Sequence, residues 1–126
     1  MSFTASHKVP TQDWNEWLDG SVAFDTNEGR VVPLANCDKA RQDAYDYLDR
    51  WDMETDASWL AYQSGVVRLS DMAEVGEVDR SEWYDRMSTG VGTRYELAEA
   101  PSVALTLVAC DLGDGTTEVW LDTYGV

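Results

Sequence analysis

Positive charge is what this chain has least of. Nine Lys and Arg stand against 24 Asp and Glu, giving a formal net charge of −15 over 126 residues. Lysine occurs only at Lys8 and Lys39, and the arginines (Arg30, Arg41, Arg50, Arg68, Arg80, Arg86, Arg94) are scattered singly among acids. A nucleic-acid binder needs a basic footprint, so the sequence excludes that class. The same field repels anionic membranes and attracts basic protein surfaces.

Histidine occurs once, at His7, and cysteine twice, at Cys37 and Cys110. These cannot by themselves build a tetrahedral zinc site. The two thiols read as reduced and buried, Cys37 in a helical pattern and Cys110 in a strand pattern. No basic segment followed by an apolar core opens the chain, so no signal peptide is expected. No apolar run approaches the ~20 residues of a membrane span. A soluble, cytoplasmic protein is expected.

Catalytic signatures are also missing. There is no G-x-S-x-G and no phosphate-cradling loop; "TGVGT" (89–93) lacks the lysine and spacing of one. "DLGDGTTEVWLD" (111–122) carries Asp111, Asp114, Glu118 and Asp122, but Gly113 stands where a calcium loop needs its second ligand. It reads as a hairpin turn. His7 lies in residues 1–10, read as a loosely ordered lead-in, where a general base would be badly held. With 24 acids some carboxylate pair always looks plausible, so abundance removes the diagnostic value. The expectation is a non-enzyme without cofactor or metal.

What is present is material for a core: 44% apolar residues, with six Trp and six Tyr. One domain spanning 1–126 is expected. "TQDWNEWLDG" (11–20) predicts a helix capped by Thr11, with Trp14, Trp17 and Leu18 on one face. "SVAFDTNEGRVVPL" (21–34) predicts a hairpin turning at Asn27–Gly29, with Pro33 favouring a sheet edge. Residues 36–53 predict the best helix, with an apolar arc of Cys37, Ala40, Ala44, Tyr47, Leu48 and Trp51. Residues 57–72 are ambiguous: the first half fits a helix turn or a strand, Ser64-Gly65 breaks it, and Val66–Leu69 then reads as a short strand. Residues 79–90 predict a helix and 93–100 a strand. "SVALTLVACD" (102–111) and "TTEVWLDTY" (116–124) predict a hairpin whose first strand is central in a sheet. The fold class is therefore α+β: an antiparallel sheet built from the N-terminal and C-terminal hairpins, with two to four helices packed on it.

One stretch concentrates the charge. "DAYDYLDRWDMETD" (43–56) places Asp43, Asp46, Asp49 and Asp52 at every third position, followed by Glu54 and Asp56. Three helical residues advance about 4.5 Å, comparable to the ~3.4 Å between phosphates along one DNA strand. A second acidic group comprises Asp71, Glu74, Glu77, Asp79, Glu82 and Asp85, against Arg80. Charges on a solvated helix face explain acids at the surface but not the excess of one sign. Halophilic adaptation explains the excess of Asp over Glu and the scarcity of lysine. The third explanation is a basic partner that absorbs the field.

That last explanation gives the functional expectation: an acidic inhibitor that mimics nucleic acid and occupies the cationic channel of an effector or nuclease. In composition alone it resembles the phage inhibitors of CRISPR and restriction systems. The partner-binding residues would be Asp43, Asp46, Asp49, Asp52, Glu54, Asp56, Glu74, Glu77, Asp79, Glu82 and Asp85, on a monomer or homodimer, with Tyr45 as an exposed aromatic contact. An immunity protein covering a basic nuclease toxin is the alternative, and a small enzyme or ligand-binding domain the next.

Overall fold

A computed structural model describes residues 3–79, 91–98 and 103–125. The chain runs β1 (Phe3–Pro10), α1 (Thr11–Leu18), β2 (Val22–Asp25), β3 (Arg30–Pro33), α2 (Leu34–Arg50), α3 (Ala57–Ser64) and β4 (Val66–Val67). A 3₁₀ turn (Leu69–Asp71) leads into β5 (Met72–Asp79), then β6 (Val91–Leu97), β7 (Val103–Asp111) and β8 (Thr116–Gly125). All pairings are antiparallel, in a five-stranded sheet of order β1-β8-β7-β6-β5 and a three-stranded sheet of order β3-β2-β4. The α+β class is as expected.

The apolar run of β7 behaves as a central strand should. Residues 105–110 are all buried, and β7 lies between β8 and β6. Side chains alternate across a strand. Leu105, Leu107 and Ala109, with Val119 and Leu121 of β8, enter the main core, while Val108 and Cys110 join Val78 and Trp120 in a second cluster.

Three layers follow from the same alternation in the small sheet. Phe24 and Val67 enter the main core with Trp14 and Trp17 of α1 and Ala61 of α3. Their neighbours Ala23 and Val66 pack instead with Val32, Cys37 and, at the edge, Leu34 and Ala40. The small sheet is thus covered on one side by the large sheet's core and on the other by α2, which forms the outer layer. Arg41 of α2 pairs with Asp71, which also accepts from the Arg68 N–H (2.7 Å), and so fixes α2 to the 3₁₀ turn.

Several expectations are corrected. The two hairpins do not share a sheet: β1 and β6 occupy the positions beside β8 and β7, so β2 and β3 build a separate one. Residues 3–10 are not a loose lead-in. They form β1, registered along β8 from Phe3↔Thr123 to Pro10↔Thr116. His7 packs against Gly29 at the hairpin turn, where φ is +71° and an added Cβ would fall on the imidazole. Thr11 does not cap α1; Pro10 holds that position and the Thr11 hydroxyl meets that of Thr117 (3.0 Å). Leu18 is exposed. The second helix starts at Leu34 and ends at Arg50 rather than spanning 36–53. Pro33 does lie on an edge strand. The ambiguous stretch resolves into α3, with Asp56 accepting from the Trp59 N–H (3.0 Å) at its start and Gly65 in the left-handed conformation at its end. Residues 72–79, not foreseen as a strand, form β5. The helix expected over 79–90 lies outside the described residues beyond Asp79.

Two buried acids make stability sensitive to alkali. Burial pushes the Cys37 thiol above its ordinary 9.0, against a smaller opposing pull from Arg41 and Arg68. Burial likewise raises the Tyr95 hydroxyl above 10.0. The folded chain holds both protons more tightly than the unfolded one. Their contribution is complete below the unfolded values and is lost as pH rises through the folded ones. The urea midpoint is therefore expected to fall once pH exceeds about 9, and a flat profile from about pH 8 to 10.5 would contradict this burial.

Candidate functional site

The C-terminal half of α2 and the link to α3 carry the densest charge. From Asp43 to Asp56 six acids face one base, Arg50, so 14 residues hold a third of the net charge of −15. Asp43, Asp46, Asp49, Asp52, Glu54 and Asp56 are all exposed. The N-terminal half of α2 differs, with Asp38 balanced by Lys39 and Arg41.

The ladder departs from its expected shape at one rung. Asp43, Asp46 and Asp49 lie on the helix, but Asp52 stands beyond its end with φ +53°. The Asp52 N–H bonds the Asp49 carbonyl (3.1 Å) and the Met53 N–H bonds the Leu48 carbonyl (2.9 Å). This is the double bond of a Schellman cap, whose left-handed position is most often glycine. An L-residue there is strained. Asp49 and Asp52 also sit at the negative end of the helix dipole, where each carboxylate costs about 0.3–1 kcal/mol. These acids are placed against local stability. Asp52→Gly is accordingly expected to stabilise the fold by about 0.5–1 kcal/mol, read as a higher urea midpoint at unchanged slope. A lower midpoint would show that the carboxylate supports the cap.

Aromatic residues accompany the acids. Tyr47 is 47% exposed, Trp51 63% and Met53 45%, with Tyr45 exposed as expected. The helical period puts Tyr47 and Trp51 on the apolar arc, and the structure places both outward. α2 seats on the small sheet through the small residues Cys37 and Ala40, and its buried residues are Cys37, Ala44 and Leu48. Tyr47 falls on the flank of that seat. Trp51 is the C-cap of α2, beyond Leu48, the last buried residue of the helix. The signal that marks Tyr47 is the run of small residues, which narrows the buried arc.

The described members of the second acidic group differ in their surroundings. Asp71 is bound internally to Arg41 and the Arg68 N–H. Glu74 and Glu77 are exposed on β5, an edge strand with a bulge between Glu74 and Gly76. Charges and bulges on an edge blunt pairing with other chains, which is a sufficient local reason for both glutamates. The Asp79 side chain, Glu82 and Asp85 lie outside the described residues.

Elsewhere the polar groups serve the fold. The Cys37 and Cys110 thiols meet the Val66 and Val91 carbonyls. Asp111 accepts from the Gly113 N–H (2.8 Å), and Asp114 accepts from the Thr116 hydroxyl and N–H, which hold its carboxyl below the usual range. Glu118 is buried and accepts from the Ser6 hydroxyl (3.3 Å). Among the described residues no group of three or more His, Cys, Asp or Glu is arranged to hold a metal ion, and no helix is long and apolar enough to cross a membrane. Two grooves flank α2. One of about 490 Å³ includes Asp25, Arg30, Lys39 and Asp43; the other, of about 300 Å³, includes Asp38, Arg41, Tyr45 and Arg68. The groups held away from their ordinary pKa, Cys37, Tyr95 and Asp114, line neither groove.

Comparison with protein-family models, with curated proteins and with solved structures finds no match to this chain.

Proposed function

We propose that this chain is an anionic decoy that occupies the cationic channel of a nucleic-acid-binding protein, an effector or a nuclease, and so keeps nucleic acid out. One observation carries the reading: six exposed carboxylates against one base between Asp43 and Asp56, on the outermost layer of the fold. A solvated helix face has no need to put acids at the negative end of its dipole and in a strained cap. A partner's arginines and lysines would offset the unfavourable charge at Asp49 and Asp52. Asp43, Asp46, Asp49, Asp52, Glu54 and Asp56 are the contact residues of this reading. Glu74 and Glu77 are secondary to it, because their edge-strand position already accounts for them.

The test is retention from a lysate of the cell that harbours the chain, with the immobilised protein at about 50 mM salt. Exposed charges are screened beyond about 8 Å at physiological salt, so the retained protein is expected to elute by about 0.5 M. It is also expected to elute with added DNA or RNA. A retained protein that ignores both salt and nucleic acid would overturn the reading. A toxin nuclease among the eluted proteins would assign the chain to immunity.

A further inference from the structure

Four large side chains are left in water where the core had room for tryptophan elsewhere: Tyr45, Tyr47, Trp51 and Met53, along the end of α2 and just past it. A surface that offered charge alone would have no use for them. Their spacing ties them to the carboxylates. Residues four apart on a helix are neighbours on one face, and this places Asp43 beside Tyr47, and Tyr45 beside Asp49. Trp51 follows Tyr47 by four more and closes the stripe at the cap, with Asp52 next in sequence. Tyr45 and Tyr47 thus each have an aspartate one turn away on the helix.

Lysine and arginine meet such a pairing differently. An ammonium is a compact, strongly hydrated charge that the carboxylate alone satisfies. A guanidinium is planar and weakly hydrated; it bonds a carboxylate through its edge while its face lies on a ring. Resting on the decoy reading above, we infer that the Asp43–Tyr47–Trp51 stripe is a docking site for an arginine-rich segment of the partner and discriminates against a lysine-rich one. Charge complementarity selects a cationic occupant, and the exposed rings select among cations.

The full-length chain is tested against two labelled probes of equal charge, octa-arginine and octa-lysine, by fluorescence anisotropy at low salt. Octa-arginine is expected to bind about tenfold more tightly. Tyr47→Ser with Trp51→Ser is expected to bring octa-arginine down to the affinity of octa-lysine and to leave octa-lysine unchanged. Both side chains are exposed, so the melting temperature of this variant checks that the fold is intact. Equal binding of the two probes by the native chain would overturn the inference, as would discrimination that survives the double substitution. Asp46→Lys with Asp49→Lys separates the two levels. If that variant loses both probes while the native chain does not distinguish them, the decoy reading stands and the arginine preference falls. If the native chain binds neither probe in a salt-sensitive way, both fall.

Discussion

Asp46→Lys combined with Asp49→Lys is expected to leave the fold intact and to weaken binding of a cationic partner about 100-fold at low salt. Two carboxylates lost and two ammoniums gained take the net charge from −15 to −11. Both residues are exposed and off the buried Cys37–Ala44–Leu48 face. Among the described residues, the side-chain hydrogen bond lost is that from Gln42 Nε2 to Asp46 Oδ1 (3.0 Å), an exposed one. A lysine at 49 lies in the last turn of α2, where a cation favours the helix dipole. The melting temperature should therefore hold or rise by about 2–4 °C. Binding responds in the opposite sense, because a like charge replaces each opposite one; about 1.5 kcal/mol per close pair gives the 100-fold loss. Glu28→Lys with Glu74→Lys changes the total charge equally from exposed sites outside this stretch. It should cost only a few-fold through the long-range field. Equal losses from the two pairs would show that total charge acts and that α2 is no interface.

That contrast rests on placing α2 in the outer layer, and the sequence carried this only in part. The C-terminal hairpin was legible because an apolar run followed by strict alternation fits a central strand beside a half-buried one. The β2–β3 hairpin was legible from its Asn-Glu-Gly turn. Strand β1 was not, because "TASHK" has the polar character of an edge strand and its partner among the described residues is β8, more than a hundred residues away. Nor was the split into two sheets, which depends on which strands take the places beside β7 and β8. For the candidate surface, the exposure of Asp43, Asp46 and Asp49 followed from helical periodicity. The outward position of Trp51 did not, because it depends on where α2 stops. The Schellman cap at Asp52 settles that point, and aspartate in place of glycine hid it.

Trp17→Ala is expected to cost about 3–5 kcal/mol. Trp17 is 0% exposed. It stacks on Trp14 with centroids 4.5 Å apart, meets Tyr95 edge-on at 5.5 Å, and donates from Nε1 to the buried Val67 carbonyl (3.1 Å). Truncation opens a cavity between the two sheets and leaves that carbonyl without this donor, and both effects act in the same direction. A domain of this size has about 5–15 kcal/mol in total, so the urea midpoint should fall by roughly half or the chain should not fold. Trp51→Ala is the counterpart: a side chain in water, with a change expected within about 0.5 kcal/mol. The two tryptophans should therefore separate stability from recognition. Molecules that remain folded with Trp17→Ala keep the whole α2 surface, so their affinity for an arginine-rich probe should equal that of the native chain once the folded fraction is counted. Trp51→Ala should keep the native midpoint and lose arginine preference. If Trp17→Ala leaves the midpoint in place, the two sheets do not meet through Trp17, and the layering that holds α2 outward fails with it.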